Sequence, residues 1–163
     1  MLRIVTDGAA DMPLTWLETY KIHVLPLNVN FGAEAYTQGE GFTRSDFYRL
    51  VHEKKMIPTT SLPSIGQIKE FYRSIAQKGD TILSIHVSSK LSGTFSTVQT
   101  AANDLANDFQ VYVYDSLAGS VAQAYLAREA REMEWTGASM PEIIKRLDWI
   151  RQRISIIFTL DTL

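Results

Sequence analysis

Apolar positions along this chain alternate between two spacings, and the alternation predicts the fold. The run Leu2–Val5 is rich in β-branched residues, ends in Thr6-Asp7-Gly8 and leads to Pro13, a residue suited to a first helical turn. His23 to Val29 is a second apolar stretch, interrupted by Pro26, which makes it a strand end or an edge strand. Thr43-Arg44-Ser45-Asp46 opens a helix that runs to about Glu53, with Phe47, Leu50 and Val51 at helical spacing. Ser64-Ile65-Gly66-Gln67 has the form of a capping box. The helix it opens is expected to bury Ile65, Ile68, Phe71, Tyr72 and Ile75 and to stop at Gly79.

The second half repeats the alternation. Thr81–Ile85 reads as a buried strand, and a helix follows from about Gly93 to Leu105 on Phe95, Val98, Ala102 and Leu105. Gln110–Tyr114 is the next strand, with a helix from about Gly119 to Trp135. Ser139-Met140-Pro141-Glu142 caps a further helix carrying Ile143, Ile144, Leu147 and Ile150, and Ile154–Phe158 reads as a last strand. Strands alternating with helices predict an α/β fold, three layers α/β/α around a mainly parallel central sheet, over residues 1–163. The run Ile154–Phe158 has almost nothing after it and no closing element, which is expected either of a domain boundary or of a complete domain whose last strand sits at a sheet edge.

Composition narrows the function classes. A hydrophobic fraction of 45% and a charged fraction of 21% in 163 residues suit a globular domain with a substantial core. The net charge of -2 supplies no basic footprint for nucleic acid or for an anionic membrane surface. No apolar run approaches the roughly 20 residues that span a bilayer, so no stable membrane insertion is expected. With no cysteine in the chain, disulfides and thiolate metal sites are excluded and a cytoplasmic location is expected.

Two hydroxyl-rich segments stand out, Pro58-Thr59-Thr60-Ser61-Leu62-Pro63-Ser64 and Ser88-Ser89-Lys90-Leu91-Ser92-Gly93-Thr94. Each lies where a non-helical stretch meets an amphipathic helix, so free backbone N–H groups and short hydroxyls can converge on an anion. Ser92 and Gly93 fall at a helix start, where the macrodipole favours negative charge. Ser64 and Ser92 could equally be plain N-caps worth about 1 kcal/mol each; the cap suits Ser64, and both roles together suit Ser92. Thr60 is placed in a loop before the next helix.

At these residues the chain resembles DegV-type (FakB-like) bacterial fatty-acid-binding proteins. Thr6-Asp7-Gly8-Ala9-Ala10-Asp11-Met12-Pro13 and the two hydroxyl segments are similar to that family's three signatures, in the same order, with Asp115-Ser116 following the next strand. The resemblance covers nearly the whole chain but only the first of the family's two domains. It implies that Thr60, Ser61, Ser92, Gly93 and Thr94 hold a fatty-acid carboxylate, with Ile65 and Phe95 against the acyl chain. It also implies a carrier with no catalytic residue, metal or cofactor of its own, which presents its bound fatty acid to a partner fatty-acid kinase for acyl-phosphate formation in phospholipid synthesis. Each buried CH₂ contributes about 0.8 kcal/mol, so a long chain offers on the order of 10 kcal/mol without a cationic clamp. In the family the second domain contributes a His to the carboxylate, so this half alone is expected to fold yet bind weakly.

Other chemistry is thinner. Asp7, at the end of the first strand, is either a structural acceptor of loop amides or the base or nucleophile of an enzyme acting on a phosphorylated or carboxylated substrate. The second carboxylate two residues on, which a phosphatase of that kind uses, is Ala9 here, and the family usually has Ser where this chain has Gly8. Asp115-Ser116 is expected to order a loop and Lys90 to face solvent. His23, His52 and His86 are isolated in sequence, and no zinc-protease, dinucleotide, P-loop or nucleophile-elbow pattern occurs.

Overall fold

The computed structural model describes residues 1–39, 41–157 and 159. Its central sheet contains β1 (Leu2–Asp7), β2 (Ile22–Leu25), β6 (Thr81–His86) and β7 (Gln110–Asp115), in the order β2-β1-β6-β7 and parallel throughout. Parallel neighbours need crossovers, and the helices supply them. Helices α1 (Leu14–Tyr20), α5 (Ser120–Trp135) and α6 (Met140–Arg151) cover one face, packing on Ile4, Leu83 and Ile85. Helices α3 (Ile65–Ile75) and α4 (Thr94–Asp104) cover the other, packing on Val5, Leu25 and Ile82. The side-chain period of two in β1 thus sends Ile4 and Val5 into different cores. The expected three-layer architecture is present.

A second sheet is an addition to the expected fold. β3 (Asn28–Phe31), β4 (Glu34–Thr37) and β5 (Thr59–Ser61) form an antiparallel sheet in the order β4-β3-β5, packed through Val29 and Phe31 on Leu50 of α2 (Arg44–Lys54). Pro26 is the reason that the His23–Val29 stretch is two strands and not one. It lies between edge strand β2 and β3 of the other sheet, where no ladder needs its missing N–H.

Capping follows the sequence closely. Thr43 with Asp46, Ser64 with Gln67 and Ser139 with Glu142 each form a reciprocal capping box. Three expectations need correction. Ile65 is 38% exposed, because it sits in the first turn of α3, ahead of the buried face made by Ile68 and Tyr72. That helix ends at Ile75, four residues before Gly79, whose φ of +89° serves the turn into β6. Ile154 to Ile157 form no strand, and Ile157 is almost fully exposed; Phe158, the last residue of that expected strand, lies outside the described residues. Among the described residues no helix is long and apolar enough to cross a membrane.

Candidate functional site

Strand order locates the site. From β1 the chain crosses to β2 on one side, whereas from β6 it crosses to β7 on the other, so the switch point lies between β1 and β6. In open α/β sheets ligands bind in the crevice outside the carboxyl ends of the strands at such a point. Asp7 ends β1 and His86 ends β6, and the two bridge the crevice: Asp7 Oδ2 lies 2.9 Å from His86 Nδ1 and accepts the Val87 N–H at 2.9 Å. The other oxygen, Oδ1, accepts the Ala9 N–H at 2.9 Å.

The chain of contacts continues inward. His86 Nε2 lies 2.7 Å from Ser84 Oγ, and the Tyr72 hydroxyl donates to Ser84 Oγ at 2.7 Å. All four side chains are sealed from solvent. An ionised carboxylate can only accept, so the His86 proton belongs on Nδ1; Nε2 then accepts from Ser84, and Ser84 accepts from Tyr72. Every proton in this row has one acceptor. Burial, the largest influence, pushes the Tyr72 phenol upward and keeps it a donor. Burial by itself would also raise the Asp7 carboxyl, but hydrogen bonds from the His86 ring and the Val87 amide outweigh it and hold the group below the ordinary carboxylate value. His86 is therefore not isolated, as its sequence context suggested. Beside it, Gln123 donates to Thr6 Oγ1 at 2.9 Å, and its Oε1 is the one buried side-chain polar atom without a partner among the described residues.

The hydroxyl segments sit on the rim of this crevice. The loop after β6 is tied down by Ser88 N–H to Ala118 O at 2.8 Å and by Ser89 N–H to Asp115 Oδ1 at 3.2 Å. Asp115 also accepts the Leu117 N–H, and Ser116 Oγ exchanges bonds with Ala118, so both residues order the neighbouring loop. Ser92 is half-buried, with its Oγ 2.9 Å from Thr94 Oγ1 and accepting the Thr94 N–H at 3.3 Å. Gly93 is the N-cap residue of α4, so Ser92 assists the cap from one position outside it. Thr94 is fully buried, with its hydroxyl turned onto Ser92. Lys90 is exposed.

Thr60 is not in a loop, as expected, but in β5, because β3 offers its free edge to Thr59–Ser61. Residues directly opposite in a ladder share a face. Thr60 pairs with Val29, whereas Ser61 pairs with Asn28 and accepts from Asn30 Nδ2 at 3.2 Å, so the Thr60 and Ser61 hydroxyls leave opposite faces of the strand. Both are exposed. The two segments meet at Leu62 and Gly93: a Cβ added to Gly93 would lie 3.1 Å from Leu62 Cδ1. Ile65 and Phe95 follow at the first turns of α3 and α4, and Leu62 and Leu91 of the two segments are exposed. Among the described residues no cluster of His, Asp and Glu could hold a metal ion.

A family model described as "Uncharacterised protein, DegV family" matches residues 1–163. Protein DegV of Bacillus subtilis (strain 168) is 36% identical over 163 residues, which is 99% of this chain and 58% of that protein. The crystal structure of DegV, a fatty acid binding protein from Bacillus subtilis, superposes with a TM-score of 0.85 at 34% identity, over 93% of this chain and 54% of that one. A stearic acid-binding protein from Eubacterium ventriosum superposes with a TM-score of 0.81 at 30% identity, over 91% of this chain and 52% of that one. The chain thus spans little more than half the length of the relatives it matches. With a family model matching residues 1–163 and the fold superposing on a solved relative over 93% of its length, this chain belongs to the DegV family.

Proposed function

We propose that this chain is the head-group half of a fatty-acid carrier, in which Thr60, Ser92, Gly93 and Thr94 form the carboxylate subsite; Ser61, expected to share it, turns its hydroxyl to the other face of β5 and onto Asn30. The observation that supports this most is the meeting of the two hydroxyl segments at Leu62 and Gly93, on the rim of the switch-point crevice. Thr60 and Ser92 supply hydroxyl donors, the start of α4 supplies amides, and Thr94 acts through Ser92 by fixing its hydroxyl. The exposed Ile65 and Leu91 and the half-buried Phe95 line the start of the acyl path. Relatives of about twice this length, named for fatty-acid and stearic-acid binding, favour the same reading.

The acyl chain then lies between this domain and a second one, and the carboxylate is offered to a partner fatty-acid kinase that performs the chemistry. Asp7 is unsuited to the enzymatic alternative, since a sealed carboxylate with both oxygens occupied cannot reach a substrate. Solvent extraction of the full-length protein followed by mass spectrometry tests the proposal. A carrier yields about one fatty acid per protein chain; a protein that purifies without lipid and takes up no added oleate is not one. Acyl-phosphate formation by a fatty-acid kinase, with the loaded protein as its only fatty-acid source, tests the partner.

A further inference from the structure

Gly8 has no room for a side chain, and the reason is Gln38. The Gly8 backbone is outside the left-handed region, so its need for glycine is spatial and not conformational. A Cβ built there would fall inside Gln38 Oε1 and lie 2.7 Å from Cδ and 3.2 Å from Nε2. The Gln38 carboxamide therefore fills the space at the end of β1, on the switch-point crevice. It is held by a two-way clasp on one residue: the Gln38 N–H donates to Leu27 O at 3.0 Å, and Oε1 accepts the Leu27 N–H at 3.1 Å. That clasp also settles which way the amide points, because only the oxygen can accept from Leu27. The nitrogen edge is left over. Nε2 makes no hydrogen bond among the described residues, and Gln38 is only half-buried.

We propose that Gln38 is a head-group residue whose Nε2 donates to the ligand's carboxylate and selects for an anionic, acceptor-only head. The proposal rests on the fatty-acid reading above. A carboxylate arriving at the end of β1 meets the buried charge of Asp7, whose oxygens are already committed. Like charges repel, so an N–H donor is needed at this spot for the approach to be favourable. Gln38 stands where a side chain from position 8 would otherwise reach.

The test compares oleate with oleyl alcohol on the full-length protein at pH 8. Gln38→Glu keeps an oxygen for the Leu27 N–H but turns the donor into an acceptor with negative charge. It should weaken oleate roughly tenfold or more while leaving oleyl alcohol unchanged. Gln38→Met removes the donor without adding charge and should fall between Gln38→Glu and the unaltered protein for oleate. Equal oleate binding by both variants and the unaltered protein would overturn the proposal, and so would an equal loss of both ligands, which marks a packing role. If the unaltered protein takes up no oleate, the fatty-acid reading itself fails and this inference falls with it.

Discussion

Two sets of hydroxyls flank the same crevice, and they are treated in opposite ways. Tyr72 and Ser84 belong to a row that ends on His86 and Asp7, sealed from solvent, with each proton matched to an acceptor. Thr60, Ser61 and Ser92 sit on the rim, exposed or half-buried, and the bonds of Ser61 and Ser92 are to the neighbouring Asn30 and Thr94. The same functional group stabilises in the first setting and waits for a partner in the second. What decides between them is whether the protein itself supplies the acceptor. A saturated buried row holds the crevice rigid, and the unsaturated rim can then exchange water for a ligand without moving the scaffold.

The comparison breaks most sharply at His86. His86→Ala leaves the buried Asp7 carboxylate without its ring donor and should destabilise by about 2–4 kcal/mol in urea titration, the lost charge-assisted bond plus the cavity left by the ring. A loss below about 1 kcal/mol would mean that the row is not a structural unit. On the rim the pattern should reverse: Thr60→Ala or Ser92→Ala should lower oleate affinity about tenfold with little change in melting temperature. Ser64→Ala sharpens the contrast, since its hydroxyl is spent on the Gln67 amide; about 1 kcal/mol of stability should go while ligand binding stays.

Acid provides the gentlest probe. Asp7 has a lowered value in the folded state, so its contribution is present above the unfolded carboxylate value of about 3.9 and is lost as pH falls through the folded one. Asp80, at the opposite end of the sheet, is held at about 2 chiefly by the N-terminal ammonium and the Gln77 amide, with help from Arg3, against an opposing effect of burial. Its contribution is lost between about 4 and 2. Asp80→Asn should therefore flatten the fall in urea midpoint across that range without altering oleate binding at neutral pH. An unchanged acid profile would show that the ion pairs at this end do not contribute.

The larger elements were legible because their periods are clean: β1, β6, β7 and the caps at Thr43, Ser64 and Ser139 lie within a residue or two of where the pattern puts them. The small antiparallel sheet was not legible. Glu34–Thr37 and Thr59–Ser61 are short, polar and mostly exposed, and what makes them strands is the ladder with β3, which no local pattern encodes. Ile154–Ile157 fails in the other direction, an apolar run that finds no neighbouring strand. The hydroxyl segments could be read from their positions ahead of helices, but His86 could not, because its partners come from β1 and from within β6. Gln38 left one faint signal, a glycine at position 8 whose neighbour across space is invisible in sequence.

The bridge from Asp7 to His86 joins residues 79 positions apart. A ribosome releases the N-terminus first, so β1 emerges with β2 as its earliest neighbour and with its terminal carboxylate still in water. The crevice cannot close until β6 has been made and has threaded in beside β1, a long-range step whose loop-closure cost must be met before any contact repays it. Nascent chains stalled short of position 86 should therefore remain open to proteases at the Asp7 turn, and those stalled well past β6, once it has cleared the exit tunnel, should become resistant there.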